Sequence, residues 1–182
     1  MKPNQLVGFW ARRRASAWLT SVNPTLDANS NGWTGFTLRQ WYASGAISGT
    51  SGSQVRITLE ASSTAGFVLV ACYIGVGASS GDVYDFDTTP TQILFSGIAG
   101  VTLGTGATVV SDAATFTILP SRSLVVSAYF STATSIRSSA GTNYSLSRGY
   151  SKAGNDVTTV NATGYAAATS ENYLVKKIES FI

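Results

Sequence analysis

Three aspartates stand close together in the stretch "SSGDVYDFDTTPTQILF", residues 79–95, just before an apolar run. Carboxylates are oxygen ligands that Ca²⁺ prefers, so Asp82, Asp85 and Asp87 form a candidate calcium site. Their spacing does not match an EF-hand loop, which needs a glycine at the sixth position and a glutamate at the twelfth. No cofactor other than calcium is expected.

The same aspartates also suit a turn. Aspartate side chains accept hydrogen bonds from backbone N–H groups two residues further on, which starts turns. Pro90 follows Thr88 and Thr89 and favours an extended chain leading into "TQILF". We favour the turn interpretation and keep a bound cation and a catalytic carboxylate pair as alternatives.

Histidine is absent from the sequence. This removes the usual general base of serine and cysteine triads and the commonest protein ligand of transition metals. Gly81 and Asp82 are followed by Val83 rather than by a serine nucleophile, so hydrolysis would depend on carboxylates alone. The sequence therefore predicts a protein that is not an enzyme.

The single cysteine, Cys72, lies in the apolar segment "GFVLVACYIGVG". Alternation along a strand places it on one face with Val68, Val70 and Ile74. Burial among apolar side chains raises the pKa of a thiol, so we expect an unreactive, structural cysteine.

The elements that must position these residues are short β-strands. Charged residues make up only 12% of the 182 residues, and apolar runs alternate with Gly, Ser, Asn and Asp turns. In "SQVRITLEAS", Val55, Ile57 and Leu59 fall on one face, as in a half-exposed antiparallel strand. About eight or nine such runs with regular turn signals predict an antiparallel β-sandwich of jelly-roll type. An immunoglobulin-like sandwich or a closed barrel is the alternative.

The N-terminal region has a different composition. All four tryptophans and five basic residues, against one acid, fall within the first 41 positions. Approximately helical spacing of apolar residues around the triple arginine predicts a short, partly helical arm over residues 1–31, followed by a β-sandwich over 32–182. Because Trp and Arg dominate interface energetics, the candidate docking residues are Trp10, Arg12, Arg13, Arg14 and Trp18. The alternative is that the arm packs across its own domain.

Aromatic residues on polar strands form a candidate glycan-binding site. Sugar rings stack on exposed Trp and Tyr faces, while Asn and Arg bind hydroxyl groups. The candidates are Trp41, Tyr42, Asn143, Tyr144, Arg148 and Tyr150. The alternative is that these rings fill the core or a subunit interface, where aromatic residues are also common.

The run "TTPTQILFSGIAGVTLGTGATVVSDAATFTILPSRSLVVSAYFST", residues 88–132, resembles the β-sandwich module that precedes the catalytic domain in some SGNH (GDSL-type) hydrolases. Similar modules occur in head-spike and tail proteins of tailed phages. Pro90, the "ILF" strand, "GVTLGTG" and "LVVSAYF" carry the resemblance, which extends loosely over residues 34–179. It implies a jelly-roll-like accessory module; the serine block and histidine of the hydrolases are absent.

These features together predict a virion structural protein of a tailed phage: a capsid decoration, head-fibre or tail-spike component. A carbohydrate-binding module for a host or environmental glycan is the alternative function.

Partners are expected to be capsid or tail proteins and further copies of the chain, with a homotrimer as the first expectation. The N-terminus lacks a signal-peptide pattern, which predicts synthesis in a host cytoplasm and a final place on the virion surface. Neither a membrane span nor nucleic-acid binding is expected.

Overall fold

The structure, a computed structural model, describes residues 16–49 and 52–182. Within these ranges the chain consists of β-strands and connecting loops, apart from one 3-10 helix, Ser44–Ala46. The strand pairings are antiparallel. The predicted all-β antiparallel class is thus confirmed, and the arrangement is consistent with a β-sandwich. None of the helical structure in the described ranges has the length and apolar character needed to cross a membrane.

Among the described residues, one sheet has five strands. Their spatial order is β1 (Trp18–Val22), β14 (Val175–Phe181), β4 (Gln54–Glu60) and β8 (Thr108–Val110), with β9 (Ala114–Thr115) also pairing with β4. Along β4, Val55, Ile57 and Leu59 are fully buried while Arg56 and Glu60 are partly exposed. The predicted alternation of this strand is therefore confirmed.

The second sheet has seven strands in the part of the chain that the structure describes. Their order is β13 (Ala166–Ala167), β12 (Ser147–Ala153), β3 (Phe36–Tyr42), β10 (Leu124–Thr132), β5 (Phe67–Val76) and β6 (Thr91–Ile93), with β7 (Val101–Leu103) also pairing with β5. A separate two-stranded ribbon joins β2 (Ala28–Asn31) and β11 (Ser135–Ser138). The longest strands, β5 and β10, are neighbours at the centre of the seven-stranded sheet.

A single large hydrophobic cluster contains side chains from both sheets. Ile57 and Ile178 of the five-stranded sheet belong to the same buried cluster as Leu38 and Phe130 of the seven-stranded sheet. Burial of apolar area from both layers supplies the main favourable term for folding. We call the side of the seven-stranded sheet that is turned away from this cluster the outer face.

Cys72 is fully buried, as predicted, and burial raises the pKa of its thiol to about 12. Its predicted neighbour Val70, however, is 40% exposed. The register with β10 shifts between Ala71 and Leu69, so Val70 is an extra residue in a β-bulge. A bulge reverses the alternation that follows it. Cys72 therefore shares its inward face with Ile74 but not with Val68 or Val70, and Leu69 takes the inward position before the bulge.

The described part of the predicted arm, residues 16–31, contains two strands and no helix, while most of the segment with helical spacing lies outside the described residues. Residues Trp18–Val22 form β1 and pair with β14, and Ala28–Asn31 form β2 and pair with β11. The physical reason is that backbone groups of this segment bond to strands distant in sequence, a tertiary interaction that helical spacing cannot reveal. The predicted docking residues Trp10, Arg12, Arg13 and Arg14 lie outside the described residues.

Candidate functional site

The three clustered aspartates bind protein groups. Asp82 accepts a hydrogen bond from the Tyr84 hydroxyl at 2.7 Å. Asp85, which is buried, accepts from the backbone N–H groups of Ala162 at 2.9 Å and Asp82 at 3.2 Å. Asp87 pairs instead with a guanidinium nitrogen of Arg122 at 3.2 Å.

This arrangement is that of a turn. The backbone N–H of Asp85 donates to the carbonyl of Asp82 at 2.9 Å. Across residues 16–49 and 52–182, no group of three or more Asp, Glu, His or Cys side chains has an arrangement that could hold a metal ion. The geometry thus gives no support to the candidate calcium site at Asp82, Asp85 and Asp87.

The segment that contains this turn covers the outer face and is held there by a buried arginine. Arg39, on β3, has no exposed surface. Its Nη1 donates to the carbonyl of Tyr84 at 2.9 Å, and its Nη2 donates to the carbonyls of Asp156, at 3.1 Å, and Thr159. One side chain therefore connects the loop after β5 to the loop after β12.

Aromatic rings cover the Arg39 guanidinium. Its Cζ lies 4.6 Å from the ring centroid of Phe86 and 4.9 Å from that of Tyr165. The ring face attracts a cation, and this attraction strengthens when water is excluded. The sequence patterns did not single out Arg39, although a charged side chain at an outward position of a central strand was the available signal.

A cluster of three tyrosines lies beside Arg39. The ring of Tyr84 lies 4.9 Å from that of Tyr150 and 5.1 Å from that of Tyr165, measured between centroids. Burial raises the pKa of Tyr84 and of Tyr165 to about 12, so both hydroxyls stay protonated near neutral pH. Tyr84 donates to Asp82, and Tyr165 donates to the carbonyl of Asp156 at 3.3 Å.

Four of the six predicted glycan-binding residues lie near one another at this face. Antiparallel pairing of β12 with β3 places Arg148 opposite Trp41, and Tyr150 opposite Arg39. The Arg148 Cζ lies 4.2 Å from the ring centroid of Tyr144 and 5.9 Å from that of Tyr150. We call Trp41, Tyr144, Arg148 and Tyr150, all half-buried, the aromatic–arginine patch.

Arg148 has no acidic partner in the part of the chain that the structure describes. None of the ion pairs there includes it, and its Nε is buried without a hydrogen-bond partner. By contrast, Lys152 on the same strand is paired with Asp156 at 2.8 Å. The patch therefore combines an uncompensated positive charge with three aromatic rings.

The other two predicted glycan-binding residues lie elsewhere. Tyr42 is 1% exposed and belongs to the core cluster between the sheets, because it follows Trp41 on the strand and so faces the opposite side. Asn143 lies in the loop before β12, where its Oδ1 accepts hydrogen bonds from Ser145. Both residues line a cavity at the end of the two sheets rather than the outer face.

The described docking candidate, Trp18, packs on its own domain. Its ring centroid lies 5.3 Å from that of Phe181, and the Arg56 Cζ lies 4.5 Å from the Trp18 ring. Trp18 therefore anchors β1 to the five-stranded sheet.

No family model matches this chain, and no curated protein matches it either.

Proposed function

We propose that this chain is a non-enzymatic structural protein of a tailed-phage virion, a decoration, head-fibre or tail-spike component that displays a jelly-roll β-sandwich. The observation that supports docking through the N-terminal segment is the position of β1. This strand is at the edge of the five-stranded sheet, and the segment that carries Trp10 and the triple arginine leads directly into it.

An edge strand is a natural place for assembly. Among the strands that the structure describes, β1 is the terminal one of its sheet, with β14 as its neighbour, and Leu19 on it is exposed. At its C-terminal end the Ser21 carbonyl already accepts a hydrogen bond from the Ser48 N–H at 2.8 Å, so the edge left for pairing is its N-terminal part. Unpaired N–H and C=O groups on an edge accept a strand from another chain. Trp and Arg residues in the preceding segment then supply interface anchors, and a closed homotrimer gives each copy an identical environment.

The test uses the full chain. Mass spectrometry of purified phage particles from the strain that encodes the sequence should detect the protein in many copies per particle. Replacing Trp10, Arg12, Arg13 and Arg14 together with alanine should weaken binding to particles that lack the protein by about tenfold or more. Lys176→Ala, which removes a charge outside the segment, is the control and should bind normally. Particles without the protein, or undiminished binding of the fourfold variant, would contradict the proposal.

The second candidate function is carbohydrate binding, and the aromatic–arginine patch favours it. Trp41 offers a partly exposed ring for stacking, and Arg148 offers guanidinium donors that no carboxylate of the described residues occupies. A planar guanidinium binds a carboxylate in a bidentate geometry, with two parallel N–H···O hydrogen bonds. The preferred ligand class is therefore a glycan that carries carboxylate groups, such as one containing uronic or sialic acids.

A glycan array tests this function. Wild type should bind acidic glycans more strongly than their neutral counterparts, and Arg148→Ala or Trp41→Ala should each reduce binding by about tenfold, which corresponds to roughly 1.4 kcal/mol. Trp18→Ala is the matched control because Trp18 lies on the other sheet. A wild-type array without acidic-glycan binding, or equal losses in all three variants, would count against the patch.

A further inference from the structure

A cavity lies where the ends of the two sheets meet, and its size suits one large side chain. Its volume is about 280 Å³, just below the roughly 300–1,000 Å³ of small-molecule pockets. Leu146 in its lining is 47% exposed, and covering such a side chain with an apolar group removes its surface from water. The apolar residues that line the cavity are Val22, Pro24, Ala46 and Leu146.

Glu171, on the wall of this cavity, has a carboxylate without a protein partner. In residues 16–49 and 52–182 it is the one acidic side chain with neither an ion pair nor a hydrogen bond. It is half-buried. By contrast, Glu60 pairs with Lys176 at 2.9 Å. The cavity therefore offers a negative charge to a positive group from outside the described residues.

The N-terminal segment, residues 1–15, carries a matching set of side chains. It contains four basic residues and no acid, and Phe9 and Trp10 immediately precede its triple arginine but for one alanine. The basic side chains of the described residues already contact an acid, a carbonyl or an aromatic ring. The segment is thus the part of the chain whose charge complements Glu171.

The position of β1 favours a second copy of the chain as the source of this segment. The cavity adjoins Val22 at the C-terminal end of β1, whereas the segment joins β1 near its other end, where Ala17 pairs with Ile182. At about 3.4 Å per residue, Ala17 and Val22 are about 17 Å apart. Arg12 precedes Ala17 by as many residues as Val22 follows it. The triple arginine of the same chain would therefore have to reverse direction without using any residue for the turn.

We propose that the N-terminal segment of one copy docks in this cavity of a neighbouring copy, with Trp10 packed against Leu146 and an arginine of the triple paired with Glu171. This contact rests on the assembly through the N-terminal segment proposed above, and it names the surface that receives the segment. Each copy both supplies a segment and offers a cavity, and such head-to-tail contacts close into a ring when the rotation between copies allows it.

Light scattering of the full chain over a range of concentrations gives the dissociation constant for self-association, which tests the contact. Glu171→Arg places like charges together and should raise that constant about tenfold or more. Trp10→Ala should raise it about thirtyfold, because a buried tryptophan is a typical interface anchor. Replacing all three arginines with glutamate should also weaken association. Combining that replacement with Glu171→Arg should bring the constant back to within about threefold of wild type, because the charges are complementary again.

The matched control is Gln92→Arg. It introduces the same side chain as Glu171→Arg at an exposed position on β6, outside the cavity, and should leave self-association unchanged. The proposed contact is overturned if the wild type stays monomeric at every concentration, if Glu171→Arg and Trp10→Ala associate like wild type, or if the combined variant associates no better than the single charge reversals. Particles separate this failure from that of the virion role: a chain present in many copies per particle keeps that role even if the contact is overturned.

Discussion

Arg39→Ala should lower the free energy of unfolding by about 3–4 kcal/mol, a large share of the roughly 5–15 kcal/mol typical of a domain. The substitution removes donors to the carbonyls of Tyr84, Asp156 and Thr159, which are then left without this partner. It also removes the cation between the rings of Phe86 and Tyr165. Two loops lose their common attachment to the outer face.

Denaturant titration followed by tryptophan fluorescence measures this effect. Arg39→Lys keeps the charge but lacks the planar guanidinium group and its several N–H donors. Its free energy of unfolding should therefore lie between those of Arg39→Ala and wild type. The matched control is Arg122→Ala. Arg122 also donates to a loop carbonyl, that of Gly77 at 3.0 Å, but a third of its side chain is exposed. Its loss should cost less than about 1 kcal/mol, and an equally small loss for Arg39→Ala would show that Arg39 does not hold the loops.

Gly149→Ala should cost about 2–3 kcal/mol because the new methyl group has no room. A Cβ at Gly149 would lie 2.5 Å from Cε2 of Tyr173, well inside contact distance. The Tyr173 ring cannot move aside easily, since it is fully buried and its hydroxyl accepts from the Ser170 N–H at 2.7 Å. The ring also packs on Trp33, with centroids 5.1 Å apart.

Gly104→Ala is the control for this substitution. Nothing lies within 4 Å of a Cβ built at Gly104, and the backbone there is not in the left-handed region. Its stability should stay within about 0.5 kcal/mol of wild type or rise slightly, because alanine restricts the unfolded chain. Thermal unfolding of both variants, followed by circular dichroism, gives the comparison. Equal melting temperatures for the two would mean that β12 tolerates a side chain facing Tyr173.

Gly149 also explains the position of the aromatic–arginine patch. Its inward position brings β12 close to Tyr173, and its neighbours Arg148 and Tyr150 then face outward opposite Trp41 and Arg39. We expect displacement of β12 to disturb the proposed glycan site as well as stability. The packing of the core thus sets the geometry of a surface site.

The main strands could be predicted from the sequence because their side-chain alternation is a local property. The alternation in β4 follows directly from Val55, Ile57 and Leu59, and the low charge and regular turn residues predict an antiparallel β-rich domain. The burial of Cys72 follows from its apolar neighbours. Each of these features depends on residues within one segment, so composition and spacing determine it.

Tertiary structure alone decided the features that depend on distant segments. Trp18–Val22 is a strand because β14 pairs with it, and Val70 is exposed because a bulge interrupts its register with β10. Arg39 is buried because loops far along the chain close over it. Trp41 and Tyr42, adjacent in sequence, lie in a surface patch and in the core between the sheets because successive strand residues face opposite sides of a sheet. Which face of a strand is exposed depends on the segments that pack against it. Those segments are distant in sequence, so the residues of the strand alone do not determine it.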